Sequence, residues 1–269
     1  MVRGLISFFL LAFLKDNTMK KTILFILLAI IAVPCFSQVV TRFPNGVSTA
    51  DMNTTFFDLG TPDKTKYFEY FDDFENYTAS EWVVSTTEAG SGDATEAVTD
   101  VENGVITLTN DAGDNDADVL ERAYETFKFS SGKELWFEVS LKVNDTVESD
   151  WFAGLVISQA TFPASIASVT GVIFGKDDGD ANVDFHVSSL GTTSTASAIT
   201  TQATDTFVDL GFYYNGSDSV SYFVNGVQLG SLVTTNLTST ELRPAFGIMN
   251  GTDAAKTMSV DYIWAIKER

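Results

Sequence analysis

Cysteine, histidine and proline are all scarce: the 269 residues include one Cys, one His and five Pro. The single thiol, Cys35, falls in an apolar N-terminal stretch. Without that stretch the chain has no disulfide, no cysteine nucleophile and no thiolate metal site. Core burial alone must then hold the fold, and the length suffices, since a domain of about 150 residues buries roughly 70% of its unfolded surface. The lone His186 leaves no His-x-x-x-His zinc motif and nothing to complete a Ser-His-Asp arrangement. It reads as a packed or surface strand residue. No glycine-rich phosphate loop opens a helix, and helical periodicity is almost absent. Basic residues are few as well: 16 Lys and Arg against 36 Asp and Glu give a net charge of −20. A surface this acidic repels nucleic acid and anionic lipid, so neither is an expected partner.

What is present is a succession of strands and tight turns. Asn225-Gly226 separates two apolar runs, the strongest short signal for a hairpin, because a type I′ turn needs positive φ at both central residues. Asn215-Gly216 and Asn250-Gly251 punctuate neighbouring runs. Strands are expected from Tyr67 and at 81–87, 104–109, 119–122, 133–143, 151–158, 171–175 and 183–187. From 133 to 143, Leu135, Phe137, Val139, Leu141 and Val143 take one face; Glu134, Trp136, Glu138, Ser140 and Lys142 take the other. Residues 192–204, rich in Ser, Thr and Ala, read as an exposed loop. About a dozen strands between 67 and 269 suit an all-β, two-sheet antiparallel jelly-roll sandwich.

Residues 1–37 stand apart. After Met19 come Lys20-Lys21, an apolar run from Ile23 to Val33, and Cys35-Phe36-Ser37, the layout of a secretory signal peptide cleaved before Gln38. The run is shorter than the about 20 residues needed to span a bilayer, so no membrane attachment is expected after cleavage. Removing residues 1–37, which carry an excess charge of +3, leaves −23 on the remainder. Residues 38–66, broken by Pro44, Gly46, Gly60 and Pro62, read as an extended arm.

Candidate chemistry is sparse. Two acidic clusters, Asp111–Asp118 and Asp177–Asp184, offer hard oxygens that calcium could use, but neither fits an EF-hand, and Asp, Asn and Gly also simply make turns. No cofactor is otherwise expected. Hydrolysis of a glycan needs two placed acids. No strand carries a Glu-x-Asp-x-Glu alternation, and Glu134 and Glu138 are separated by Trp136. The chain is therefore expected not to be an enzyme. Trp136, on the polar face of its strand, is the candidate ligand-binding residue, a ring on which a sugar could stack.

Tyr70-Phe-Asp-Asp-Phe-Glu75, Tyr222-Phe-Val-Asn-Gly-Val227 and Val260-Asp-Tyr-Ile263 resemble the concanavalin A-like lectin/glucanase superfamily over residues 67–269. Thr41–Val47, Asp63–Tyr67, Leu210–Tyr214, Phe246–Ile248 and the ending from Ala254 more closely resemble uncharacterised virion structural proteins of tailed bacteriophages. The second resemblance implies a non-enzymatic structural or display protein on a virion surface, with virion or cell-surface proteins as partners. The first implies a secreted glycan-binding module. A secretory leader departs from the virion pattern, because phage particles assemble in the cytoplasm.

Overall fold

The computed structural model describes residues 64–89, 92–99 and 101–269. The leader and all but the last residues of the arm lie outside them. Fifteen strands follow: β1 (Tyr67–Asp72), β2 (Trp82–Thr87), β3 (Thr95–Thr99), β4 (Val105–Thr109), β5 (Ala117–Arg122), β6 (Leu135–Val143), β7 (Ser149–Val156) and β8 (Gly171–Lys176). Then come β9 (Asn182–Ser189), β10 (Thr192–Thr201), β11 (Val208–Tyr214), β12 (Ser219–Val224), β13 (Val227–Val233), β14 (Arg243–Asn250) and β15 (Thr257–Glu268). No helix among the described residues is long and apolar enough to cross a membrane.

The strands form two antiparallel sheets. The first runs β13-β12-β11-β6-β15-β4-β3, with β1 beside the second half of β15. The other runs β10-β9-β8-β7-β14-β5-β2. This is the all-β jelly-roll sandwich of concanavalin A-like type. The pleat explains the core. Alternate residues of β6, Leu135, Phe137, Val139, Leu141 and Val143, are all buried against Trp151, Phe174, Phe185 and Phe246 of the facing sheet. Phe137 and Phe212 stack across β6 and β11 with centroids 5.0 Å apart. The hairpin at Asn225-Gly226 takes positive φ at both residues, +48° and +74°, as the type I′ reading requires.

Residues 192–204 differ from the expectation. Most of them are β10, paired with β9 through a turn at Leu190-Gly191, both with positive φ. Threonine is β-branched and suits an edge strand that need not be apolar, so polarity alone did not mark a loop. The strand β3 was not expected at all. It is a short edge strand whose exposed positions are Thr95, Ala97 and Thr99.

Candidate functional site

The outer face of the first sheet gathers rings and carboxyl groups from five strands. Trp136 and Glu138 of β6 point away from the core, opposite Tyr213 and Gly211 of β11. Gly211 makes room for them, since a Cβ there would lie 3.3 Å from the Trp136 ring and 3.6 Å from Glu138 Cγ. Phe223 of β12 joins from one side, its ring 5.0 Å from that of Trp136. From the other side β15 contributes Tyr262 and Trp264, and β1 contributes Glu69 and Phe71. A bulge between Val260 and Tyr262 re-aims β15, so that Val260 and Ile263 both stay in the core while Tyr262 turns outward.

Hydrogen bonds fix these groups. The Tyr262 hydroxyl donates to Glu138 Oε1 at 2.5 Å, and the Trp264 indole N–H donates to Glu69 Oε1 at 3.1 Å. The Phe71 and Tyr262 rings lie 6.3 Å apart, with Phe71 54% exposed. Lys142 places its ammonium 5.1 Å from the Phe207 ring on the same face. Burial pushes the Glu138 carboxyl up to about 7; Asp209 adds to the rise, and the Tyr262 and Trp136 donors oppose it. Burial also raises Asp261, helped by the like charges of Asp209 and Asp73. A cleft of about 650 Å³ adjoins this region, lined by Asp73, Glu75, Thr99 and Asn103 among others.

Trp136 was the residue singled out from the sequence, and it is only 5% exposed. It lies against Phe223 and Tyr213 and forms the floor of the face. Of the rings on this face Phe71 is exposed, while Tyr262, Trp264, Tyr213 and Phe223 are half-buried. Periodicity could not show this, because pairing of β1 and β6 with β15 depends on residues over a hundred positions apart. Glu134 sits at the end of the same face, its backbone N–H donating to Glu268.

The outer face of the other sheet is filled. Residues 157–170 cross it, and Phe162, Ile166 and Val169 pack on Ala117, Val119, Phe152, Ile173 and Ala245. Small residues floor the trough: a Cβ at Gly175 would fall 2.6 Å from Ile166 Cγ2. Glu121, fully buried, accepts from Gln159 N and Ser158 Oγ and faces Arg243 at 3.6 Å, pinning one end of the crossing segment. Asp177 accepts from Ile166 N at 2.9 Å and pins the other. His186 is 3% exposed here, with Nδ1 3.0 Å from Thr195 Oγ1.

The two acidic clusters serve the chain itself. Asp114 N–H donates to Asp253, Asp116 accepts from Ala89 N, and Asp118 is buried between the sheets facing Glu96. Asp180 and Asp184 accept from Asn182 N and Ala198 N. Among the described residues no group of three or more His, Cys, Asp or Glu side chains is placed to hold a metal ion.

Comparison with family profiles gives no match, and neither does comparison with curated sequences. Solved structures do match. An endo-1,3-β-glucanase from Streptomyces sioyaensis superimposes with a TM-score of 0.54 at 14% identity, over 77% of this chain and 99% of that one. A Shewanella oneidensis MR-1 protein of unknown function gives 0.52 at 16%, over 76% and 87%. Peanut lectin gives 0.51 at 14%, over 76% and 98%. The shared feature is the lectin/glucanase jelly roll, a fold that hosts both binding and cleavage.

Proposed function

We propose that this protein is a non-enzymatic, lectin-like glycan-binding module, exported by its leader and displayed outside the cell by its arm. The observation that carries the reading is the outer face of the first sheet. There the exposed Phe71 and the half-buried Tyr262 and Trp264 adjoin the carboxyl groups of Glu69, Asp209 and Asp261. Ring faces take the apolar side of a pyranose, and carboxylates accept from its hydroxyls. The carboxylates also repel uronates and sulfated sugars, so neutral glycans are the favoured class. The carrier to which the arm attaches is a cell surface or, on the virion resemblance, a phage particle.

Glu138 supports binding over catalysis. It is 2% exposed and bonded to Tyr262, which makes it a support for the ring rather than a group open to a scissile bond. The test is an array of neutral and acidic polysaccharides scored for retention and for release of reducing ends. Retention of a neutral glycan, weakened about tenfold by Phe71→Ala or Tyr262→Ala, is the expected result, since one ring stack is worth roughly 1–3 kcal/mol. Reducing ends that appear with purified protein and vanish in Glu138→Gln would replace the binding reading with an enzyme.

A further inference from the structure

The carboxyl groups of the first sheet's outer face repel acidic sugars, and by the same physics they attract the opposite charge. Strand register sets them in a line. Glu138 of β6 stands between Gly211 of β11 and Trp264 of β15; two residues further along β6, Asp209 and Tyr262 flank Ser140. Asp261 precedes Tyr262 at the bulge, where the like charges of Asp209 and Asp73 reach it. Asp73 and Glu75 then line the cleft of about 650 Å³. Among the described residues none of these five carboxyl groups is in an ion pair. The bridges at Glu81, Glu121, Glu125, Asp145 and Glu241 lie elsewhere, and Lys142 of the same face leans over the Phe207 ring. Glu138 also calls for a donor that the chain does not supply. It is 2% exposed and Oε1 accepts from Tyr262, but Oε2 is without a hydrogen bond of ordinary geometry, as is the Trp136 indole N–H beside it. Gly211, opposite Glu138, has no side chain to fill the space toward Asp209.

We propose that this face takes glycans built of free amino sugars, whose protonated amines it prefers to the hydroxyl or acetamide of a neutral sugar. The inference rests on the glycan-binding reading and names the substrate class within it. The apolar side of each amino sugar lies on Phe71, Tyr262 and Trp264, and the π faces of those rings attract the ammonium as well. An ammonium above Gly211 sits between Asp209 and the Glu138 carboxyl. Amines further along the glycan meet Asp261 and Asp73 on the way to the cleft, each as a charge-assisted hydrogen bond. The carboxyl groups are spread along the face rather than converging on one point, and among the described residues no three of them are placed to hold a metal ion. Such spacing suits amines repeated along a polymer.

The experiment titrates the full chain with chitosan and chitin oligosaccharides of equal length, which share one backbone and differ only in acetylation of the amine, and with a cellulose oligosaccharide. Calorimetry in mildly acidic buffer, where free sugar amines are protonated, should show chitosan bound about tenfold tighter than chitin or cellulose, a modest ratio because exposed charge pairs are individually weak. The advantage should shrink as salt rises, since salt screens exposed charges. Asp209→Asn with Asp261→Asn should weaken chitosan binding about tenfold and binding of the neutral oligosaccharides less. Phe71→Ala should weaken all three. Neutral oligosaccharides bound as tightly as chitosan would overturn the amine preference and leave the glycan reading standing; no binding of any of the three would remove both. An oligolysine that binds as well as chitosan, or chitosan binding indifferent to Phe71→Ala, would mean that charge alone attracts, and would also overturn the proposal.

Discussion

At the scale of single residues, the informative groups are carboxyls on which the folded chain forces a proton. Glu138 rises from its ordinary 4.5 to about 7, chiefly because β6 buries it under Tyr262 and Trp136. Between those two values the folded chain holds the proton that the unfolded chain has already released. Stability from this group is therefore complete below about pH 4.5 and declines as pH rises to about 7. The full decline is on the order of 3 kcal/mol. Glu138→Gln keeps an acceptor for the Tyr262 hydroxyl and carries no charge. Urea midpoints measured from pH 4.5 to 8 should fall less steeply in the variant, which should be the more stable protein at pH 8. Equal slopes would mean that Glu138 is not protonated in the fold. The sequence already displayed Glu138 on the polar face of its strand; it could not show that its neighbours there leave it 2% exposed.

At the scale of elements, the short strand β3 is the weak point of the sandwich. Among the described residues it pairs only with β4, and the inward Glu96 faces Asp118 of β5 across the gap between the sheets. Burial pushes Asp118 well above the usual carboxylate range; Glu96 and then Glu88 add to the rise, and Tyr77 packs nearby with its own ionisation disfavoured. The contact is tolerable while Asp118 holds its proton and repulsive once it ionises. Contact between β3 and β5 is therefore fully present at low pH and lost as pH rises through the elevated value. Hydrogen exchange in residues 95–99 should quicken above that pH more than in β6 or β15, and Asp118→Asn should abolish the difference. Uniform exchange across these strands at alkaline pH would rule out local release. Elements far from this edge were easier to read, because β6 carries uninterrupted alternation and β15 alternates on either side of its bulge. The chain around β3, Thr95-Glu-Ala-Val-Thr99, has only one large apolar residue and gives no such signal.

At the scale of the whole molecule, the residues preceding the sandwich are proposed to serve export and attachment. Intact-mass measurement of protein secreted from a Gram-negative host should give a chain beginning near Gln38. Recovery of the full-length chain in the cytoplasm would refute the leader. Net charge acts at this scale too. With −23 outside the leader, approach of nucleic acid or acidic glycans is disfavoured over most of the surface.

The sequence by itself determined the class of fold. Period-two alternation, β-branched and aromatic enrichment, and Asn-Gly turns are local properties, and they specify strands and hairpins without reference to distant residues. It also determined what chemistry is missing, because composition is independent of folding: one cysteine and one histidine stay scarce in any conformation. Only the tertiary structure decided which face of each sheet is open. The segment 157–170 fills one outer face with Phe162, Ile166 and Val169, while Phe71, Tyr262 and Trp264 meet on the other from strands at opposite ends of the chain. It likewise showed that Trp136, the residue the sequence offers for ligand contact, is only 5% exposed. Exposure is a property of neighbours, and the neighbours of Trp136 are Tyr213 and Phe223, placed there by strand register rather than by sequence proximity.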